Sequence, residues 1–186
     1  MKVICISGKA RHGKDTLAGM LDEHLKANGH RVLIAHFGDL VKYICEKFFA
    51  WDGVKDEKGR TLLQYVGTDV VRTQRPSYWT DFIVSVLQLF PNEWDYVLIP
   101  DCRFPNEVEC FRENNMDTML IRINRPDFAS DLTPEQANHP SETAMDNYPF
   151  VDMFVINNGS LQDLSNKVEE LSLIHISEPT RPISIS

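Results

Sequence analysis

Residues 2–16 read Lys2-Val3-Ile4-Cys5-Ile6-Ser7-Gly8-Lys9-Ala10-Arg11-His12-Gly13-Lys14-Asp15-Thr16, and this stretch decides the fold. Its first half is a short, β-branched-rich run, the pattern of a strand buried on both faces. A glycine ends the run, and a helical stripe follows at Leu17, Met20, Leu21, His24 and Leu25, with Asn28-Gly29 as its stop. Between strand and helix, Gly8 to Lys14 fits G-x-x-x-x-G-K. In that context the spacing predicts a loop whose backbone N–H groups, with the helix N-terminus, cradle phosphates. Gly8 and Gly13 supply the backbone freedom, and Lys14 supplies a point charge for the β and γ phosphates. Asp15 stands where Ser or Thr commonly follows the lysine, and Thr16 comes next. Thr16 is therefore the expected Mg²⁺-side hydroxyl. Asp15 is left with three readings: orienting Lys14, reaching Mg²⁺ through water, or binding the acceptor side.

Outward from the loop, strands are expected at Arg31–Phe37, Tyr96–Pro100, Thr118–Ile123 and Asp152–Ile156. Helices are expected at Leu40–Phe49, Leu62–Val71, Trp79–Phe90, Val108–Asn115 and from about Leu161. Trp51–Arg60, charged and holding two glycines, reads as a loop. Alternation of strand and helix predicts an α/β fold with a parallel sheet covered on both faces. Residues 124–149 are polar, hold four of the ten prolines and show little periodicity, as a functional loop or lid does.

With 186 residues, 42% of them hydrophobic, the chain has enough apolar material for one core and no need of a disulfide or structural metal. A net charge of −8 argues against a generic nucleic-acid or membrane-surface binder. No run approaches the ~20 apolar residues of a membrane span. Four cysteines without C-x-x-C or metal-ligand spacing read as reduced thiols in a cytoplasmic protein.

Asp101 closes the apolar strand Tyr96–Pro100. Parallel sheets hold ligands at the carboxyl ends of their strands, so Asp101 either faces Mg²⁺ or caps the next turn. Phosphoryl transfer to a second anion needs unreactive cations; the candidates are Arg11, Arg72, Arg103, Arg122 and Arg125. Asp39 either holds the acceptor or caps a helix. Ser141 and Glu142, in His139-Pro140-Ser141-Glu142, either touch substrate or start a helix. Asn157 to Ser160 either face a nucleotide base or form a turn with a cap.

Together, GKARHGKDT (8–16), LLQYVGTDVVR (62–72) with Trp79, IPDCRFPNE (99–107), HPSET (139–143) and INNGSL (156–161) resemble the bacteriophage and bacterial deoxynucleoside monophosphate kinases, over residues 1–170. The resemblance implies a P-loop kinase domain with a five-stranded parallel sheet and a short lid at about 123–140. It implies transfer of the ATP γ-phosphoryl group to a deoxynucleoside 5′-monophosphate, giving ADP and the diphosphate.

Carried over by motif, Gly8, Lys9, Arg11, His12, Gly13, Lys14, Asp15 and Thr16 bind ATP, with Asn158 and Gly159 near the adenine. Thr16 and Asp101 belong beside Mg²⁺. Lys14, Asp15, Arg72 and Arg103 are the catalytic candidates. Asp39, Arg72, Arg103, Arg122 and Glu142 are the candidates for the acceptor. The expected partners are small-molecule nucleotides, with no nucleic acid and no membrane, and a homodimer is a candidate assembly. The compartment is the cytoplasm, the host's if a phage encodes the chain.

Two alternatives stand beside this reading. One is a P-loop kinase for another small phosphorylated acceptor, such as phosphomevalonate or dephospho-coenzyme A. The other is a nucleotide-binding protein without catalysis. Residues 171–186 (LSLIHISEPTRPISIS) resemble a sequencing-library adapter translated in frame, so a non-native tail is expected there.

Overall fold

A computed structural model describes residues 1–130 and 132–171. Five parallel strands form one sheet: β1 (Lys2–Ser7), β2 (Val32–Ile34), β3 (Tyr96–Cys102), β4 (Asp117–Asn124) and β5 (Met153–Ile156), in the order β2-β3-β1-β4-β5. The predicted five-stranded parallel α/β fold is present. β1 lies centrally because both of its faces are apolar. Val3 and Cys5 point into one core and Ile4 and Ile6 into the other, and all four are fully buried.

On the Ile4 face pack α1 (Lys14–Ala27), through Leu17, Leu21 and Leu25, and α9 (Leu161–Leu171), through Leu164, Val168 and Leu171. On the Val3 face pack α2 (Gly38–Phe48), α5 (Tyr78–Leu89) and α6 (Asn106–Glu113), with Val41, Trp79, Leu87 and Phe111 at the centre. Burying the larger of these side chains stabilises the fold by about 2 kcal/mol each before entropy is counted.

The sequence reading missed several boundaries. Arg31–Phe37 yields only the three-residue edge strand β2, since it pairs with β3 alone. The expected loop at residues 51–60 ends early. Asp56 accepts a hydrogen bond from Gly59 N–H at 2.7 Å and caps α3 (Glu57–Gln64). A π-helical segment (Tyr65–Val70) and α4 (Val71–Gln74) continue it. Gly59 tolerates no side chain here, since a Cβ would stand 2.1 Å from the Val54 carbonyl. The widened turn exposes Gly67 O, which accepts the indole N–H of buried Trp79 at 2.8 Å.

The expected lid contains two short helices, α7 (Pro134–Ala137) and α8 (Pro140–Thr143). Thr133 with Gln136, and His139, cap them. Of the tail, only Leu171 is described, buried at the end of α9; the reading of the rest lies outside the described residues.

Candidate active site

The carboxyl ends of β1, β3 and β4 open onto two cavities that share the loop after β1 as a wall. The smaller, about 330 Å³, is bounded by Arg11, Gly13, Lys14, Asp15, Thr16, Arg125, Asn157, Gly159, Ser160 and Leu161. Gly13 enters α1 with φ +98°, and Gly8 has φ +154° with Ile123 O only 2.4 Å from where a Cβ would sit. Arg11 also takes a positive φ, 60°. These conformations fold the loop tightly between β4 and the start of α1. The first N–H groups of a helix lack intrahelical acceptors, and those of Lys14, Asp15 and Thr16 belong to residues lining the cavity.

Lys14 is buried. Its Nζ donates to Gly8 O and Lys9 O, both at 2.8 Å. Burial, reinforced by the Arg103 charge, pulls its pKa down to about 8. His12 faces outward to β4: its Nδ1 accepts Arg125 N–H at 3.2 Å, and burial lowers its pKa. Asn157, which the sequence singled out only within a turn, is the residue that braces the loop. Its Nδ2 donates to His12 O at 3.0 Å and fills the space a Cβ on Gly13 would need. Gly159 lines the cavity as expected, whereas Asn158 is exposed and does not.

The larger cavity, about 380 Å³, lies on the other side of the same loop. Arg72 and Arg103 stand in its wall, brought together by one buried carboxylate. Glu107 Oε1 accepts Arg72 Nη2–H, while Oε2 accepts the backbone N–H groups of Arg103 at 2.6 Å and Phe104 at 3.0 Å. Arg72 also donates to Asn106 Oδ1 at 2.9 Å and lies 4.0 Å over the Phe104 ring. Its buried Nε–H has no partner among the described residues. Burial pushes Glu107 up to about 7 against the pull of Arg72 and the two N–H groups.

Asp101 lines this cavity, and instead of the next turn it caps an earlier element. It accepts Phe37 N–H at 3.1 Å and Gly38 N–H at 2.8 Å, so it fixes the start of α2. Burial raises its pKa, and the two N–H groups and His36 oppose the rise.

His36, absent from the sequence-based set, stands between Asp15 and Asp39. Its Nε2 lies 3.4 Å from Asp15 Oδ1 and its Nδ1 3.5 Å from Asp39 Oδ2. The Asp15 hydrogen bond raises His36 and lowers Asp15. Asp39 stands just outside the cavity lining, tied to Lys42 at 2.7 Å. Lys55 and Arg60, absent from the sequence-based set, line the distal wall. They carried no motif, and only the packing of α3 brings them here. Arg122 lines neither cavity. It grips Met145 O and pairs with Asp146 at 2.7 Å, and Asp146 also holds Lys9 at 3.1 Å. Glu142 spends both oxygens on protein donors, Arg103 Nη1–H and Ala10 N–H, the latter at 2.9 Å.

A cleft with a phosphate-type loop on one side and arginines on the other suits transfer between two anions. Comparison with known proteins agrees. The overall fold is similar to the APS kinase of Mycobacterium tuberculosis, with a TM-score of 0.50 and 12% identity over 91% of this chain and 95% of that one. A mimivirus protein, provisionally named a deoxynucleotide monophosphate kinase, is 27% identical over 90% of this chain and 94% of its own length. The deoxynucleotide monophosphate kinase of phage T4 is 31% identical over 59% of this chain, and the alignment spans 43% of the phage protein. The model of the deoxynucleotide monophosphate kinase family matches residues 39–168. That stretch includes Arg72, Arg103 and Glu142 of the larger cavity, while residues 8–16 form the loop that both cavities share; the chain belongs to the deoxynucleotide monophosphate kinase family.

Proposed function

We propose that the chain transfers the γ-phosphoryl group of ATP to a deoxynucleoside 5′-monophosphate, with ATP in the smaller cavity and the acceptor in the larger. One observation carries the reading. The Gly8–Lys14 loop is the shared wall of the two cavities, with Lys14 and Asp15 lining both. A γ-phosphate held by this loop would therefore point from one cavity into the other.

The bond broken is that between the γ phosphorus and the β,γ-bridging oxygen, and the bond formed is to an oxygen of the acceptor phosphate. That oxygen is already anionic, so no strong base is needed. The residues' work is alignment and charge neutralisation. Lys14 would stabilise charge on the β and γ oxygens, and Arg11 flanks the crossing point. Arg72 offers its unsatisfied Nε–H and Arg103 its guanidinium to the acceptor phosphate, a geometry arginine can meet bidentately. Asn157 keeps the loop closed around the phosphates. Leu132, Gln136 and Ser141 cover the acceptor cavity and would keep water from the reacting phosphorus.

The donor chemistry fits Mg²⁺. Thr16 contributes an exposed hydroxyl and Asp101 a carboxylate, both hard oxygen groups, and Mg²⁺ commonly completes its shell with phosphate oxygens and water. When bound, the ion would neutralise phosphate charge.

Among the described residues no helix is long and apolar enough to cross a membrane. Cys5, Cys45 and Cys102 are buried free thiols, which fits an enzyme of the cytoplasm.

Incubation with ATP, Mg²⁺ and each deoxy- and ribonucleoside monophosphate in turn, with chromatography of the products, tests the proposal. At least one deoxynucleoside monophosphate is expected to yield its diphosphate in step with ADP. Turnover with phosphomevalonate or dephospho-coenzyme A alone would favour the alternative acceptors. ATP binding without transfer to any acceptor would favour the non-catalytic alternative.

A further inference from the structure

Residues 139–146 tie together parts of the molecule that the reaction must keep in register. His139 Nε2 lies 3.2 Å from Asp69 in the π-helical segment, and its Nδ1 accepts Ser141 N–H at 3.2 Å. Arg103 Nη1 donates to Ser141 O at 3.3 Å and to Glu142. Glu142 Oε2 takes Ala10 N–H from the middle of the donor loop, and Asp146 takes Lys9 from the same loop. The Glu142 carboxylate is nearly enclosed, with its side chain 5% exposed, whereas Arg103 stays 36% exposed and so keeps donors for another anion.

We infer that Glu142 is a positioning residue that couples the two nucleotide sites, by holding the acceptor arginine Arg103 against the donor loop at Ala10. The inference rests on the phosphotransfer reading above. It goes beyond it in giving Glu142 no substrate contact of its own. A carboxylate has two acceptor oxygens at fixed separation. Using one on each site sets the spacing of Arg103 from the loop, and hence of the acceptor phosphate from the γ-phosphate. Occupation of either site rigidifies its half of the bridge, so the second nucleotide then binds to a preformed partner.

The test is calorimetric titration of the preferred deoxynucleoside monophosphate with and without a non-hydrolysable ATP analogue. Wild-type, Glu142→Gln and Asp146→Asn proteins are compared, together with diphosphate formed per ATP consumed. In the wild type the analogue is expected to tighten monophosphate binding by about 10-fold, within the usual range of coupling between sites. In E142Q that factor should fall to within about twofold of unity, with kcat reduced and more ATP lost to water. Asp146→Asn cuts another tie of the same segment and should keep the coupling. If E142Q folds and keeps wild-type coupling, or if D146N loses as much as E142Q, the inference is overturned. Should E142Q fail to fold, Glu142→Asp takes its place: it keeps the charge but shortens the reach, and retained coupling would overturn the inference equally. A wild type that makes no diphosphate would instead overturn the phosphotransfer reading.

Discussion

The two cavities are built in opposite ways. The smaller cavity, the proposed donor side, is made chiefly of backbone from one contiguous loop, with a single buried cation, Lys14, held by main-chain carbonyls. The larger cavity, the proposed acceptor side, is made of side chains from α2 to α8 and β3, and two of its arginines, Arg72 and Arg103, are paired with carboxylates. The first arrangement leaves the opening N–H groups of α1 and the lysine charge to face an anion. In the second, Glu107 and Glu142 neutralise Arg72 and Arg103, which keeps them ordered in an acidic protein and lowers the electrostatic gain when an acceptor binds. Donor binding should therefore depend on backbone shape, and acceptor binding on a balance of charges.

The largest expected effect falls where the two sides meet. Lys14→Met should lower kcat by about 10³-fold, as loss of a principal charge aimed at the transition state does. Its melting temperature should stay at or above that of wild type, because the fold no longer buries a charge whose pKa it depresses to about 8. Thermal denaturation beside a coupled ADP-release assay checks both parts. A Lys14→Met protein that unfolds at assay temperature would remove the distinction between a site for charge and a site for structure.

A crossed pair of substitutions should separate the sides. Arg72→Ala should raise KM for the monophosphate by about 10- to 100-fold, as loss of charge-assisted hydrogen bonds does, with KM for ATP within about twofold. Asn157→Ala should do the reverse on a smaller scale, raising KM for ATP by about 3- to 10-fold, since one neutral hydrogen bond to the loop is lost. Initial rates with each substrate varied at saturating levels of the other give all four values. If both variants raise both constants equally, the cavities are not separate sites.

The smallest effect concerns His36, the link between Asp15 and Asp39. Its folded pKa is raised above 6.5, so its contribution to stability is fully present below that value and is lost as pH rises through the raised one. Asp15 is depressed below 3.8, so its contribution is present above that value and lost as pH falls through the depressed one. Relative to wild type, His36→Asn should lower the melting temperature by about 1–3 °C near pH 6 and by less at high pH, since the partners are largely exposed. A difference that grows between pH 6 and pH 9 would contradict the assignment.

The same contrast decides what could be read from the sequence. The donor loop was legible because strand, glycines, lysine and helix are consecutive, and its conformation is local. Asp101 was legible as the end of a strand in a parallel sheet, with two open readings, facing Mg²⁺ or capping the next turn, and its capping of α2 was not among them. Its contact with residues 37 and 38 comes from tertiary packing. Glu107 was quoted only as the end of the 99–107 motif, and its tie to Arg72 depends on how α4 packs against α6. Lys55, Arg60 and His36 gave no signal, since each reaches the cleft through tertiary packing alone. Arg122 misled because it flanks the polar stretch in sequence, whereas in β4 it holds the far end of α8's connection at Met145 and Asp146. Asn158 and Asn157 are indistinguishable by composition, and the turn after β5 selects the second.

Single turnover with ATP labelled at the γ-phosphate tests the central claim most directly. On mixing with enzyme, Mg²⁺ and the preferred deoxynucleoside monophosphate, the label should appear in the β-phosphate of the diphosphate, at a rate that collapses in Lys14→Met. Label released only as inorganic phosphate, or transferred equally fast by Lys14→Met, would contradict transfer across the loop that the two cavities share.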